Sequence, residues 1–128
     1  MKILVFGNAL VEKDNLALKL IPRLKIQFPE IEFKEFDPIE NLEKEIENGK
    51  LRILDVAEGI NKIEIIKDID KLATSKIYSM HDFDLTFNLK LLKKVGKLKD
   101  VEIIALPNDM GEEKAFQELK DILIHINP

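Results

Sequence analysis

The sequence predicts a single α/β domain over residues 1–128, with a mostly parallel five-stranded sheet held between two layers of helices. Three observations lead there. Short continuous apolar runs alternate along the chain with longer segments whose apolar residues recur every three or four positions. The resulting order, β-α-β-α-β-β-α-β-α, gives a mostly parallel sheet with helices on both faces. At 128 residues the chain can bury one sizeable core and is too short for two. No repeat, low-complexity segment or linker interrupts the pattern.

The elements follow in order. Residues 2–6 read as a buried strand closed by Gly7-Asn8. Residues 14–27 read as a helix with Asp14 or Asn15 as its N-cap and a stripe of Leu16, Leu20, Ile21 and Leu24. Pro22 lies inside this helix, where it removes a backbone hydrogen bond and favours a bend. Residues 31–36 form a second strand stopped by Asp37-Pro38. Residues 39–48 are expected as a short helix using Ile39, Leu42 and Ile46 and ended by Asn48-Gly49. Residues 51–56 form a central third strand. Residues 62–66 form a fourth, antiparallel at an edge because its connection is too short for a crossover helix. After a loop over 69–80, residues 83–95 read as a helix with Phe83, Phe87, Leu91 and Leu92 on one face and Gly96 as its stop. Residues 101–106 form the fifth strand, ended by Pro107. Residues 112–126 form the last helix, with Ala115, Phe116, Leu119, Ile122 and Leu123 facing inward.

Composition narrows the function. Hydrophobic residues are 45% and charged residues 34% of the chain, the balance of a folded, soluble protein. A net charge of −4 argues against nucleic acid as the main partner, because phosphate binding wants a basic surface. With no cysteine, disulfides, thiolate zinc sites and cysteine nucleophiles are excluded. Residues 1–6 are too short for a signal h-region and no run approaches a membrane span, so a cytoplasmic protein is expected; a monomer is the expected state. Arginine occurs only at Arg23 and Arg52, while lysine and glutamate abound, a balance common in thermophiles.

Three residues stand out as chemistry: Asp14, Asp55 and His81. Each falls just past a predicted strand or at the start of the next element. In an open parallel sheet the loops leaving the C-terminal strand ends gather at one edge, where ligands bind. Two carboxylates and an imidazole gathered there make an O,O,N site for a divalent transition metal. Each also has a plainer reading. Asp14 alone is a good helix cap, though a cap uses only one oxygen. Asp55 could bond the amides of the next turn, but a carboxylate after Leu51, Ile53 and Leu54 is costly to bury without a partner. His81 could be a surface histidine. The other histidine, His125, sits near the C-terminus on a helix, so position favours His81. A phosphate loop is poorly supported by Gly7 alone, and no Gly-x-Ser-x-Gly elbow is present.

The words around these residues are Gly7-Asn8-Ala9-Leu10 with Asp14 six residues after Asn8, Leu54-Asp55-Val56, and Ser79-Met80-His81. In this order they resemble the hydrogenase maturation proteases, which trim the large subunit of [NiFe] hydrogenases. The late Ile103-Ile104-Ala105-Leu106-Pro107 matches the family's strand with a proline near its end, so the resemblance spans nearly the whole chain. It implies that Asp14, Asp55 and His81 are metal-ligand and catalytic positions. It also implies that the protein cuts a short C-terminal extension from a nickel-loaded large-subunit precursor, its partner. Nickel then belongs to the substrate, and the isolated protein would bind another divalent transition metal weakly. The chain departs from the family at Val5, which replaces the opening glycine, and at Lys13, which replaces the first acid of a pair. Asn15 and Ala17 replace glycines, and the chain reads as a short member. These departures keep open a non-catalytic metal-sensing or hydrogenase-binding module. A Mg²⁺-dependent nucleotide domain using Asp14 and Asp55 fits less well, given the histidine and the poor phosphate loop.

Overall fold

A computed structural model describes residues 1–7, 15–36, 41–68 and 82–126, and of residues 82–86 the backbone. The strands are β1 (Lys2–Val5), β2 (Glu32–Glu35), β3 (Lys50–Ala57), β4 (Glu64–Ile66) and β5 (Asp100–Pro107). The helices are α1 (Leu16–Gln27), α2 (Asp82–Lys94) and α3 (Glu112–His125). The five strands lie in the order β2-β1-β3-β5-β4. All neighbours are parallel except β4, which runs antiparallel to β5 at the edge, as the short connection requires.

Side chains alternate between the two faces of each strand, and this divides the core in two. One face carries Ile3, Val5, Phe33, Leu54, Val56, Ile104 and Leu106, covered by α1 and α3. The other carries Leu4, Phe6, Phe36, Leu51, Ile53, Val101 and Ile103, covered by Leu89 of α2 together with Leu42 and Leu98. Phe6 and Phe36 stack on this second face with ring centroids 5.3 Å apart.

The first and last helices match the sequence closely. α1 buries Leu16, Ala17, Leu20, Ile21 and Leu24, and it runs on through Pro22, which is exposed. The bond lost at Pro22 therefore lies on the solvent side, where water can replace it. Asn15 takes the cap position without a side-chain capping bond. α3 buries Ala115, Phe116, Leu119 and Leu123, with Ile122 only partly covered.

Two expectations are corrected. The helix expected over 39–48 is, in its described part, a single 3₁₀ turn at Leu42–Glu45, started by the Asn41 side chain accepting from the Glu43 amide at 3.0 Å. The chain leaves helical geometry at Ile46. Asn48-Gly49 is then no helix cap. Its φ angles of 52° and 76°, between the paired Glu47 and Lys50, make the tight hairpin turn that launches β3. The second correction concerns α2. Phe87 and Leu91 face solvent, and the buried stripe runs through Leu89 with Leu92 partly covered. Gly96, at φ 84°, does end this helix in the left-handed conformation, and the amides of Gly96 and Lys97 bond back to Lys93 and Leu92. No helix among the described residues is long and apolar enough to cross a membrane.

Candidate functional site at the C-terminal edge of the sheet

The strand order fixes where the connections diverge. From β1 the chain leaves through α1 on the first face and returns as β2. From β3 it leaves toward β4 and α2, which lies on the second face. The β1/β3 boundary is thus the point where connections diverge, the usual ligand site of an open α/β sheet.

Asp55 lies at this boundary. The β1–β3 ladder ends at Val5 opposite Leu54, closed by the Phe6 amide donating to the Leu54 carbonyl at 2.9 Å. Asp55 is the next residue along β3. The sequence reading put it at the end of a strand, whereas β3 and β5 stay paired through Ala57 and Pro107, two residues further. Asp55 shares its parity with Leu51 and Ile53 and so projects from the second face. It is 4% exposed, and its Oδ1 accepts from the Val56 amide at 2.8 Å. The plainer reading of Asp55 is therefore met in part, since it bonds a following amide, but from inside the strand and not from a turn.

Its neighbour on β5 is Ala105, which is itself buried. Ala105 pairs on its other side with Glu64 of β4, so Glu64 stands in the same row on the same face. Neighbouring strands are about 4.8 Å apart, which puts the Asp55 and Glu64 backbones roughly 10 Å from each other. Sequence reasoning did not single out Glu64, because the register of an antiparallel edge strand leaves no local signal.

Asp14 and His81 lie outside the described residues. The residues beside them are placed. α1 ends at Gln27, five residues before β2, whose first residue Glu32 donates its amide to the Met1 carbonyl at 2.9 Å at the start of β1. Twelve residues of helix span about 18 Å, so Asn15 and Leu16 stand at the opposite, C-terminal edge. Likewise α2 ends beside the starts of β3 and β5, with the Lys99 amide donating to the Gly49 carbonyl at 2.7 Å. Its first residue, Asp82, is therefore at the edge that holds Asp55. Among the described residues no three His, Cys, Asp or Glu side chains form a metal-binding group. His125 is remote from this edge, on the last turn of α3, with Nδ1 2.8 Å from the Asp121 carbonyl.

The other edge of the sheet is built differently. A hollow of about 330 Å³ there is lined by Met1, Lys2, Glu47, Asn48, Lys50 and Arg52. Two of its cations are already engaged, Lys2 with Glu45 at 3.1 Å and Arg52 with Glu102 at 3.2 Å.

No protein-family model matches the sequence, and no curated protein sequence does either. Solved structures do match. The [NiFe] hydrogenase maturation protease HybD from Thermococcus kodakarensis superposes with a TM-score of 0.64 at 19% identity, over 97% of this chain and 97% of that one. The hydrogenase maturating endopeptidase HybD from E. coli gives 0.63 at 18% identity, over 97% and 93%. A hydrogenase 3 maturation protease gives 0.63 at 20% identity, over 94% and 87%. Along almost its whole length, this chain has the fold of the hydrogenase maturation proteases.

Proposed function

We propose that the chain is a metal-dependent endopeptidase that removes the C-terminal extension of a nickel-loaded [NiFe] hydrogenase large-subunit precursor in the cytoplasm. One observation carries the reading: a buried carboxylate, Asp55, stands at the β1/β3 divergence of a chain that shares this fold over 97% of its length. Asp14 and His81, which immediately precede Asn15 and α2, complete the ligand set. Two carboxylates and an imidazole suit a borderline divalent ion and leave positions for the substrate's own donors. The nickel carried by the precursor supplies Lewis acidity toward the scissile carbonyl. A carboxylate of this chain takes a proton from the attacking water and returns it to the leaving amine as the carbon–nitrogen bond breaks.

The test is gel mobility of a purified nickel-loaded precursor incubated with the full chain. The wild type is expected to shorten it, and Asp55→Asn, Asp14→Asn and His81→Ala are expected to abolish shortening while stability moves by only about 1–2 kcal/mol. Shortening at the wild-type rate by Asp55→Asn would remove that residue from the chemistry. Binding of the precursor without any cleavage would leave the non-catalytic reading, which Lys13 favours. Calorimetry with Ni²⁺ or Zn²⁺ gives an independent readout, with one weak site expected to vanish in His81→Ala.

A further inference from the structure

Large apolar side chains on the outer surface of α2 have no partner within the described residues. Phe87 is 63% exposed, Leu91 49% and Val95 58%, although Leu89 on the opposite side is fully buried. Their i, i+4, i+8 spacing sets them in one line along the helix and its last turn. A phenylalanine can bury about 150–250 Å², so Phe87 alone offers on the order of 100 Å² to a partner. The line is bordered by Lys90 and Lys94, with Lys93 beside them. From residue 87 to residue 99 there are lysines and no carboxylate, in a chain of net charge −4. Lys97 pairs with Glu43 and Lys99 packs beside Gly49, whereas Lys90, Lys93 and Lys94 make no ion pair with the described residues. A basic, apolar stripe on an acidic protein complements a partner that is acidic around an apolar anchor.

We propose that this stripe is a docking surface for an acidic, apolar-anchored segment of the protein substrate, separate from the edge where the bond is cut. The identity of the partner rests on the functional reading above. The placement supports it: α2 starts at the edge that holds Asp55, and Phe87 is five residues, about 7.5 Å, along the helix from that start. A segment seated on the stripe is thereby continuous with the site. A second copy of the chain is disfavoured, since two such stripes would oppose lysine to lysine. A lipid surface is disfavoured because α2 is fixed to the sheet by Leu89, which leaves, among the described side chains, a single file of three apolar groups to insert.

The experiment measures binding of the full chain to nickel-loaded precursor, alongside Phe87→Ser/Leu91→Ser and Lys90→Glu/Lys94→Glu, at low and high salt. Both pairs alter exposed side chains, and circular dichroism checks the fold. Each is expected to weaken binding about tenfold or more, with the charge pair's deficit shrinking in high salt. KM for cleavage should rise while kcat at saturation is unchanged. Variants that bind like the wild type overturn the docking surface and leave the protease reading standing. A wild type that does not bind the precursor overturns both. Binding to phosphatidylserine vesicles, or self-association in sedimentation, that is lost in the variants reassigns the stripe to a membrane or a second copy and overturns the proposal.

Discussion

The two faces of the sheet are built for different ends. The first is covered by two helices that bury Ile3, Val5, Phe33, Leu54, Val56, Ile104 and Leu106 of its strands, while Arg52 on the same face is buried against Glu102. Among the described residues, the second is covered by one helix, a 3₁₀ turn and a buried ionic cluster. The buried carboxylate Asp55, its row-mate Glu64 and the exposed stripe of α2 all belong to this second side. A sheet of this size needs one well-packed face to fold. Among the described residues the second face carries the buried Asp55 and, on the outside of its helix, exposed apolar surface that a partner can cover.

The contrast can be tested by removing equal amounts of core from each side. Leu119 of α3 and Leu89 of α2 are both fully buried. Leu119→Ala leaves its cavity between two helices and the sheet, where neighbours cannot collapse into it, and should cost about 4 kcal/mol. Leu89→Ala lies beneath the one helix that covers this face among the described residues, a helix that can settle, and should cost about 2–3 kcal/mol. Urea unfolding measures both. Equal costs would mean that the second face is packed as tightly as the first.

A smaller effect probes the ionic part of the second face. Glu45 is buried, with Lys34 Nζ donating to Oε1 at 2.7 Å and Lys2 Nζ 3.1 Å from Oε2. The hydrogen bond from Lys34, reinforced by Lys2, holds its carboxyl below the ordinary value of 4.5. The native state therefore binds this proton less readily than the unfolded chain. The stabilisation is fully present above the unfolded value and is lost as pH falls below about 4.5 through the depressed native one. Glu45→Gln should cost about 1–2 kcal/mol at pH 7 and less at pH 3. A cost independent of pH would show that the pair contributes through shape and not charge.

Much of this was legible in the sequence, and the failures are informative. All five strands and the three long helices were readable, because buried parallel strands are continuous apolar runs and amphipathic helices keep their period. Even the antiparallel edge strand followed from a short connection. The burial of Asp55 was legible because it directly follows Ile53 and Leu54 in a strand read as central. Asn48-Gly49 was misread because the same dipeptide can end a helix or turn a hairpin, and only the partner across the turn decides. α2 was misread because large apolar residues were assumed to face inward. Its four-residue periodicity supports two stripes, and tertiary contacts chose the one through Leu89. Glu64 escaped because its place beside Asp55 depends on a register set by residues forty positions away.

The smallest expected effect lies on the outside of the first face, where an exposed ion pair links the two helices that cover it. Arg23 of α1 reaches Glu113 of α3 with two hydrogen bonds, of 2.7 and 3.4 Å, and its guanidinium lies 3.9 Å from the centre of the Phe116 ring. The hydrogen bond to Glu113 holds Arg23 above its ordinary value, and Arg23 holds the Glu113 carboxyl below its own. Both groups are open to water and salt, which screen the attraction. Arg23→Lys keeps the charge and loses the planar fork and the flat contact with Phe116. Its loss of stability should be smaller than that of Glu45→Gln and should persist in 0.5 M salt, because the stacking on Phe116 is the less screened part. Glu113→Gln should lose less still, and that loss should vanish in salt. If either substitution destabilised the protein more than Glu45→Gln does, the exposed pair between α1 and α3 would outweigh the buried Glu45 cluster of the second face, and the contrast between them would fail.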